Sequence, residues 1–189
     1  MPKLKAEFQK PKLTLCNTNY VPLGILTNKT QLSAHNIVLS SSVNETPILS
    51  FDMPIGGLID INSTELLVKH KFDYFVIKEV SLSDTDIPRI SVRAEHIACE
   101  LKGIMVGYFE ELIGETPENM WKTVVDSTTI PNTINNKYIF ETNIVNTFRY
   151  LEGEEEKSVF EHLITIAQRF DACILFSTDA NGKIHINLL

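Results

Sequence analysis

Ile48-Leu49-Ser50-Phe51-Asp52-Met53-Pro54 is the stretch on which the fold of this 189-residue chain turns. Successive side chains of an extended backbone point to opposite faces, so Leu49, Phe51 and Met53 share one side and Ser50 and Asp52 the other. One apolar row against one polar row is the mark of a strand that covers a core with a single face. Serines 40 to 42 and Asn44 form the turn before it, and Pro54, Gly56 and Gly57 close it.

The same two-residue period recurs outward from this strand in both directions. Lys12-Leu13-Thr14-Leu15-Cys16-Asn17 alternates and ends in a polar cluster. Tyr20 to Leu26 is apolar but carries Pro22 and Gly24, and a proline cannot donate a ladder hydrogen bond, which assigns the stretch to an edge, bulge or turn. Ala34 to Leu39 is extended. Thr64 to His70 and Tyr74 to Leu82 are two longer strands joined through Lys71 to Asp73; Tyr74-Phe75-Val76-Ile77 is apolar on both faces, which predicts cover on both sides. A turn at Asp84-Thr85-Asp86 leads to Arg89 to Glu95, with Ile90 and Val92 on one face. Short strands at near-regular spacing with little helical periodicity predict an antiparallel barrel or sandwich, a barrel-like module over residues 1–103.

Residues 104–189 read differently, as a smaller helix-plus-hairpin module, so the class predicted for the chain is α+β, mostly β. Thr116-Pro117-Glu118 combines a hydroxyl cap, a proline at the first helical position and an acid near the positive end of the helix dipole. Met120, Trp121, Val124 and Val125 supply its buried stripe. Tyr138 to Phe140 and Thr147 to Leu151 read as strands. Ser158 and Glu161 form a capping box, and Phe160, Leu163, Ile164, Ala167 and Phe170 recur at helical spacing. This helix is expected to pack on a sheet containing Ala172 to Ser177 and Lys183 to Leu188, joined by Asp179-Ala180-Asn181-Gly182, where Asn-Gly predicts a type I′ turn. The sequence ends at Leu189 without a tail, which raises the expectation of a fragment of a longer protein.

Composition narrows the chemistry. At 43% apolar residues the chain can bury a core, and its net charge of −7 is uneven. Residues 1–103 hold eleven basic and eleven acidic side chains, whereas 104–189 hold six against thirteen. That balance argues against tight phosphate-backbone binding, which needs clustered Lys and Arg. Lys3, Lys5, Lys10 and Lys12 make the start basic, but no apolar run follows them and none approaches the roughly 18 residues of a membrane span. Three scattered cysteines, Cys16, Cys99 and Cys173, give neither a disulfide framework nor a zinc knuckle and suggest a reducing site of synthesis. Sequons at Asn28, Asn44 and Asn62 are idle without a secretory route.

No motif supplies a catalytic, cofactor-binding or metal site. His35, His70, His96, His162 and His185 are scattered without ligand spacing. Glu110-Glu111 and Glu154-Glu155-Glu156 read as solvated charge runs rather than acid and base pairs. GxSxG, GxxxxGK and GxGxxG are all absent. Cys16 and Cys173 lie in strand patterns and are expected to pack as small hydrophobes. Cys99 stands three residues from His96, yet nothing orients the pair as a nucleophile and base. The remaining alternatives are an enzyme whose site carries no recognised motif and a carbohydrate-binding module; the latter needs exposed aromatics, and the single tryptophan, Trp121, falls on a helix's core face.

One ordered set of segments carries a resemblance: Tyr20-Val21-Pro22-Leu23-Gly24, Asn44-Glu45, Leu49-Ser50-Phe51-Asp52-Met53-Pro54, Tyr74-Phe75-Val76-Ile77-Lys78-Glu79 and Ala94-Glu95-His96. In this order the chain resembles the N-terminal hub region of phage and prophage tail endopeptidases, or tail-associated lysins, which is itself similar to the hub protein of contractile-tail baseplates. The resemblance spans essentially the whole chain. It implies a structural, non-enzymatic part of the virion tail tip, made in the bacterial host cytoplasm, and any peptidase or lysin domain would lie beyond this chain. It also implies a homotrimer docked on the distal tail protein ring, lining a channel for DNA and the tape measure protein, with no cofactor. The structural or interface candidates it nominates are Pro22, Leu23, Gly24, Asn44, Glu45, Leu49, Phe51, Ile77 and Glu95.

Overall fold

A computed structural model describes residues 12–27, 33–60, 62–83, 88–153 and 157–189. The basic start, the Asp84-Thr85-Asp86 turn and the Glu154-Glu155-Glu156 run lie outside the described residues, wholly or nearly so. The chain forms two units, Met1–Leu39 with Leu49–Ala94, and Ser40–Ile48 with Glu95–Leu189.

The first unit is built on one seven-stranded sheet of β1 (Leu13–Cys16), β2 (Pro22–Ile25), β3 (His35–Ser40), β4 (Ile48–Pro54), β5 (Leu67–His70), β6 (Asp73–Ser83) and β7 (Arg89–His96). Its order is β2-β1-β5-β6-β7-β4-β3. The alternation read in the sequence is obeyed: Leu49, Phe51 and Met53 of β4 and Ile90, Val92 and Ala94 of β7 are buried, while Ser50 and Asp52 face outward. These rows meet Leu13, Leu15, Val68, Phe75 and Ile77 in one core. At roughly 25 cal/mol per Å² of apolar surface removed from water, each such side chain contributes on the order of 2 kcal/mol before conformational entropy is counted.

The barrel-like curl takes a specific form. The strands at the two ends of the sheet, β2 and β3, are consecutive in sequence, so the sheet must bend round for both to sit at its margins. A backbone bond from the Ala34 N–H to the Leu26 carbonyl, at 2.6 Å, joins the chain just past β2 to the chain just before β3. No ladder pairs these two strands among the described residues, so the sheet curls without closing.

Two local readings need correction. The strand expected over Thr64 to His70 begins only at Leu67, because Glu65 (φ 69°) and Leu66 both bond to Ile77 across the pair, an extra residue accommodated as a bulge. In β6 only Phe75 and Ile77 are fully buried; Tyr74 and Val76 are half-buried, so the expected cover on both sides is present on one.

The longer part of the second unit opens with a 3-10 helix, Ile97–Gly103, whose first turn is capped by the His96 side chain accepting from the Ala98 N–H. Then come β8 (Leu112–Glu115), α1 (Pro117–Asp126), α2 (Pro131–Lys137), β9 (Tyr138–Thr142), β10 (Arg149–Leu151), α3 (Val159–Arg169), β11 (Ile174–Thr178) and β12 (Ile184–Leu188). Both predicted helix starts are present: Thr116 accepts from the Asn119 N–H, and Ser158 and Glu161 complete the capping box in both directions. Met120, Val124, Leu163 and Ile166 are fully buried, and α1 packs on α3 and β9. Trp121 is buried and stacked on Phe140 at 5.5 Å, as its place in the stripe requires.

β11 and β12 pair antiparallel, and β9 joins β12 in parallel to give the order β11-β12-β9. The turn between β11 and β12 is not type I′. Of its central residues only Gly182 takes a positive φ (80°), with bonds from Gly182 N–H to Asp179 O and from Asp179 N–H to Lys183 O. A three-residue loop with glycine last gives this pattern. The Asp179 carboxylate fixes it by accepting from the Asn181 and Lys183 N–H groups at 2.8 and 2.9 Å. Among the described residues no helix is long and apolar enough to cross a membrane.

Candidate interaction surface

The nine candidate residues fall into three structural settings. Leu49, Phe51 and Ile77 are core residues of the first unit, each at most 2% exposed. They hold the sheet together and cannot meet a partner directly.

Pro22, Leu23 and Gly24 lie on β2, an edge strand. Asn17 builds the turn that leads into it, its side-chain oxygen accepting from the Asn19 and Val21 N–H groups at 3.0 and 2.9 Å. Tyr20 crosses this turn in the left-handed region (φ 64°) and lays its ring edge-on against Tyr74, centroids 4.9 Å apart. β2 pairs with β1 through a register shift at Leu15 and Cys16, opposite Pro22, the irregularity anticipated from a proline without an N–H. Tyr20, Val21, Leu23 and Ile25 are between 40% and 52% exposed. Leu58, also half exposed, lies against Gly24 so closely that a Cβ there would come within 2.4 Å of its Cδ1. Glycine at this position therefore lets Leu58 extend the apolar surface of the strand.

Asn44, Glu45 and Glu95 belong to the second unit. The segment Ser40–Ile48 is held there by polar anchors: Asn44 (φ 61°) accepts the Ile174 N–H on its side-chain oxygen at 2.9 Å, and the Pro47 carbonyl accepts the His96 N–H at 2.8 Å. Thr46, 3% exposed, donates its hydroxyl to the Glu95 carboxylate, which also accepts from the Lys102 ammonium. Lys102 reaches Thr46 Oγ1 at 3.2 Å and lies 5.2 Å from the centre of the Phe160 ring. Glu45 is exposed, and its N–H donates to the Ser42 carbonyl. Thr46 and Lys102 were not singled out in the sequence. A threonine followed by proline just before a strand was the available sign, but its acidic partner is 49 residues away.

The ionisable groups do not assemble into a reaction centre among the described residues, and none forms a metal-binding cluster. A cleft of about 300 Å³ on the first unit is lined by Asn36, Asp52, Glu79, Ser91 and Arg93, among others. Asp52 is already committed there, accepting from Asn36 Nδ2 and Ser91 Oγ at 2.8 Å each. The bond from Asn36, aided by that from Ser91, holds its carboxyl below the ordinary range against the opposing effect of burial. His96 directs Nδ1 to the Ala98 N–H and Nε2 to Thr178 Oγ1, at 3.2 and 3.3 Å, which is a cap and core arrangement rather than a base aimed at Cys99. Burial pushes the Cys16 thiol up against the pull of Lys69, as suits a core cysteine. Cys173 departs from its expected packing: it is exposed, and its backbone pairs with that of Leu189.

No protein-family model matches the sequence, and no curated protein does. Solved structures do match its fold. The prophage tail protein gp18 of Listeria monocytogenes EGD-e superposes over 93% of the chain with a TM-score of 0.66 and 14% identity, using 50% of that protein. The tail protein of Neisseria meningitidis MC58 gives a TM-score of 0.59 at 11% identity over 94% of this chain and 50% of its own. The 43 kDa tail protein of prophage MuSo2 from Shewanella oneidensis gives 0.56 at 13% identity, with coverages of 94% and 53%. The chain thus has the fold found in these tail proteins and spans about half their length.

Proposed function

We propose that this chain is a structural subunit of a phage tail tip, the hub of the baseplate, and that it carries out no catalysis itself. The observation that carries the reading is a fold shared with these tail proteins over more than nine-tenths of the chain. Edge strand β2 gives the reading a physical seat. An unpaired edge bearing Val21, Leu23 and Ile25 invites pairing with another chain, and a closed symmetric ring satisfies such edges without leaving any free.

In this reading the chain forms a homotrimer on the distal tail protein ring, around a channel that passes DNA and the tape measure protein. The excess of acidic residues suits a wall that nucleic acid slides past without adhering. Solution mass, measured over a range of concentrations with and without a distal tail protein, tests it. We expect self-association or capture by the ring, with Leu23→Glu weakening either by at least tenfold while leaving the circular dichroism spectrum unchanged. A strict monomer that ignores the ring would overturn the assembly, and peptidoglycan cleavage abolished by Cys99→Ala or His96→Ala would overturn the structural reading itself.

A further inference from the structure

His185 sits on β12 with a carboxylate at each ring nitrogen. Its Nδ1 lies 3.0 Å from Glu141 Oε2 on the neighbouring parallel strand β9, and its Nε2 lies 3.6 Å from Asp179 Oδ2 in the turn that follows β11. A neutral imidazole carries one N–H and can serve only one of these acceptors; the imidazolium carries two and serves both. The arrangement is therefore complete only in the charged form.

We propose that His185 is a proton-dependent clasp that fastens strand β9 to the β11–β12 hairpin, closing when the imidazole is protonated and loosening when it is not. The position in the fold is what gives this contact leverage. β9 joins the sheet through its parallel pairing with β12 and lies opposite β11, so it has one strand neighbour where β12 has two. Glu141 lies within β9, the strand that follows α2, and Lys183, the charged residue just before β12, reaches back to the Asn136 carbonyl near the end of α2. From β11 the residue opposite His185 is Ser177, which does not titrate, and from β9 it is Ile139. The charged groups facing the imidazole are thus Glu141 and Asp179.

The electrostatics run in the same direction. The hydrogen bond to Glu141 is the largest influence on His185 and raises its pKa, the charges of Glu141 and Asp179 add to it, and burial opposes it. A raised folded-state pKa means that the contribution of the clasp is fully present below the ordinary imidazole value of 6.5 and is lost as pH rises through the folded value. Glu141 is half exposed, so solvent screening keeps the effect local to β9 rather than decisive for the whole fold.

Two readings of the intact chain test the clasp. In a proton NMR titration the His185 Cε1–H, assigned by its disappearance in His185→Gln, should titrate above about 6.5, and Glu141→Gln should return the midpoint at least halfway to that value. Amide exchange of β9, corrected for the intrinsic pH dependence of exchange, should lose about tenfold protection per unit of that shift between pH 6 and pH 8.5. His185→Gln should flatten this dependence, with β11 unaffected in either protein. A midpoint at or below the ordinary value, or a β9 profile with the same pH dependence in the wild-type protein and in Glu141→Gln, would overturn the proposal.

Discussion

Asn44 shows how much a single side chain carries. It combines a left-handed backbone (φ 61°) with an amide oxygen that accepts the N–H of fully buried Ile174, 130 residues away. The two contributions separate by substitution. Asn44→Gly keeps the backbone and loses the acceptor, which should cost about 1–3 kcal/mol for a buried N–H left without its partner. Asn44→Asp keeps both and should stay close to the parent, whereas Asn44→Ala should be the worst, adding about 1 kcal/mol of left-handed strain. Urea denaturation of the three variants checks the order. Sequence reading nominated Asn44 from a resemblance and set its sequon aside, but its partner was invisible because nothing local signals a bond spanning 130 residues. Glu95 is a similar case: the residue was nominated, while its pairing with Thr46 and Lys102 had to come from the fold.

Elements were legible where local chemistry and burial agree. The helix from Ser158 has a reciprocal cap and a continuous buried stripe, and it folds where both put it. Ser158→Ala should remove the cap and lower stability by about 1 kcal/mol, measured as the shift of the denaturation midpoint at unchanged slope. Helix α2 went unread for the opposite reasons. Pro131-Asn132-Thr133-Ile134-Asn135-Asn136-Lys137 is rich in weak helix formers, has no side-chain cap, and buries only Ile134, so tertiary contacts outweigh its propensity. Strand β8 was missed because Leu112 and Ile113 are exposed or half-buried and break no pattern around them. At the hairpin, Asn-Gly correctly marked a turn, yet Asp179 accepts two N–H groups and selects the three-residue form.

For the molecule as a whole, acid should be the destabilising limit. Hydrogen bonds from Asn36 to Asp52, from the Ser158 backbone to Glu161 and from the Lys183 backbone to Asp179 each lower the carboxyl pKa. A depressed folded-state pKa stabilises above the unfolded value and is lost as pH falls through the folded one, so thermal midpoints should hold near pH 6 and decline from about pH 4.5 downward. Salt should alter that decline little at Asp52, whose hydrogen-bond partners are neutral and outweigh the charges of His35 and Arg89. The mostly-β character and the single-face strands were readable because a period of two survives in any sequence that buries one side of a sheet. What no periodicity could reveal was strand order, since β1 lies between β2 and β5, and the pairing of β1 with β5 is made by residues more than fifty positions apart.

Ser40–Ile48 leaves the first unit between β3 and β4, is anchored in the second by Asn44, Thr46 and Pro47, and returns. The two units are therefore sewn together by three passages of backbone instead of one. A cut after Ala94 leaves the first unit entire with Ser40–Ile48 still attached, but no single cut yields the second unit whole, so it cannot be exchanged as one contiguous cassette. Exchange between related genes would have to carry both units in one piece.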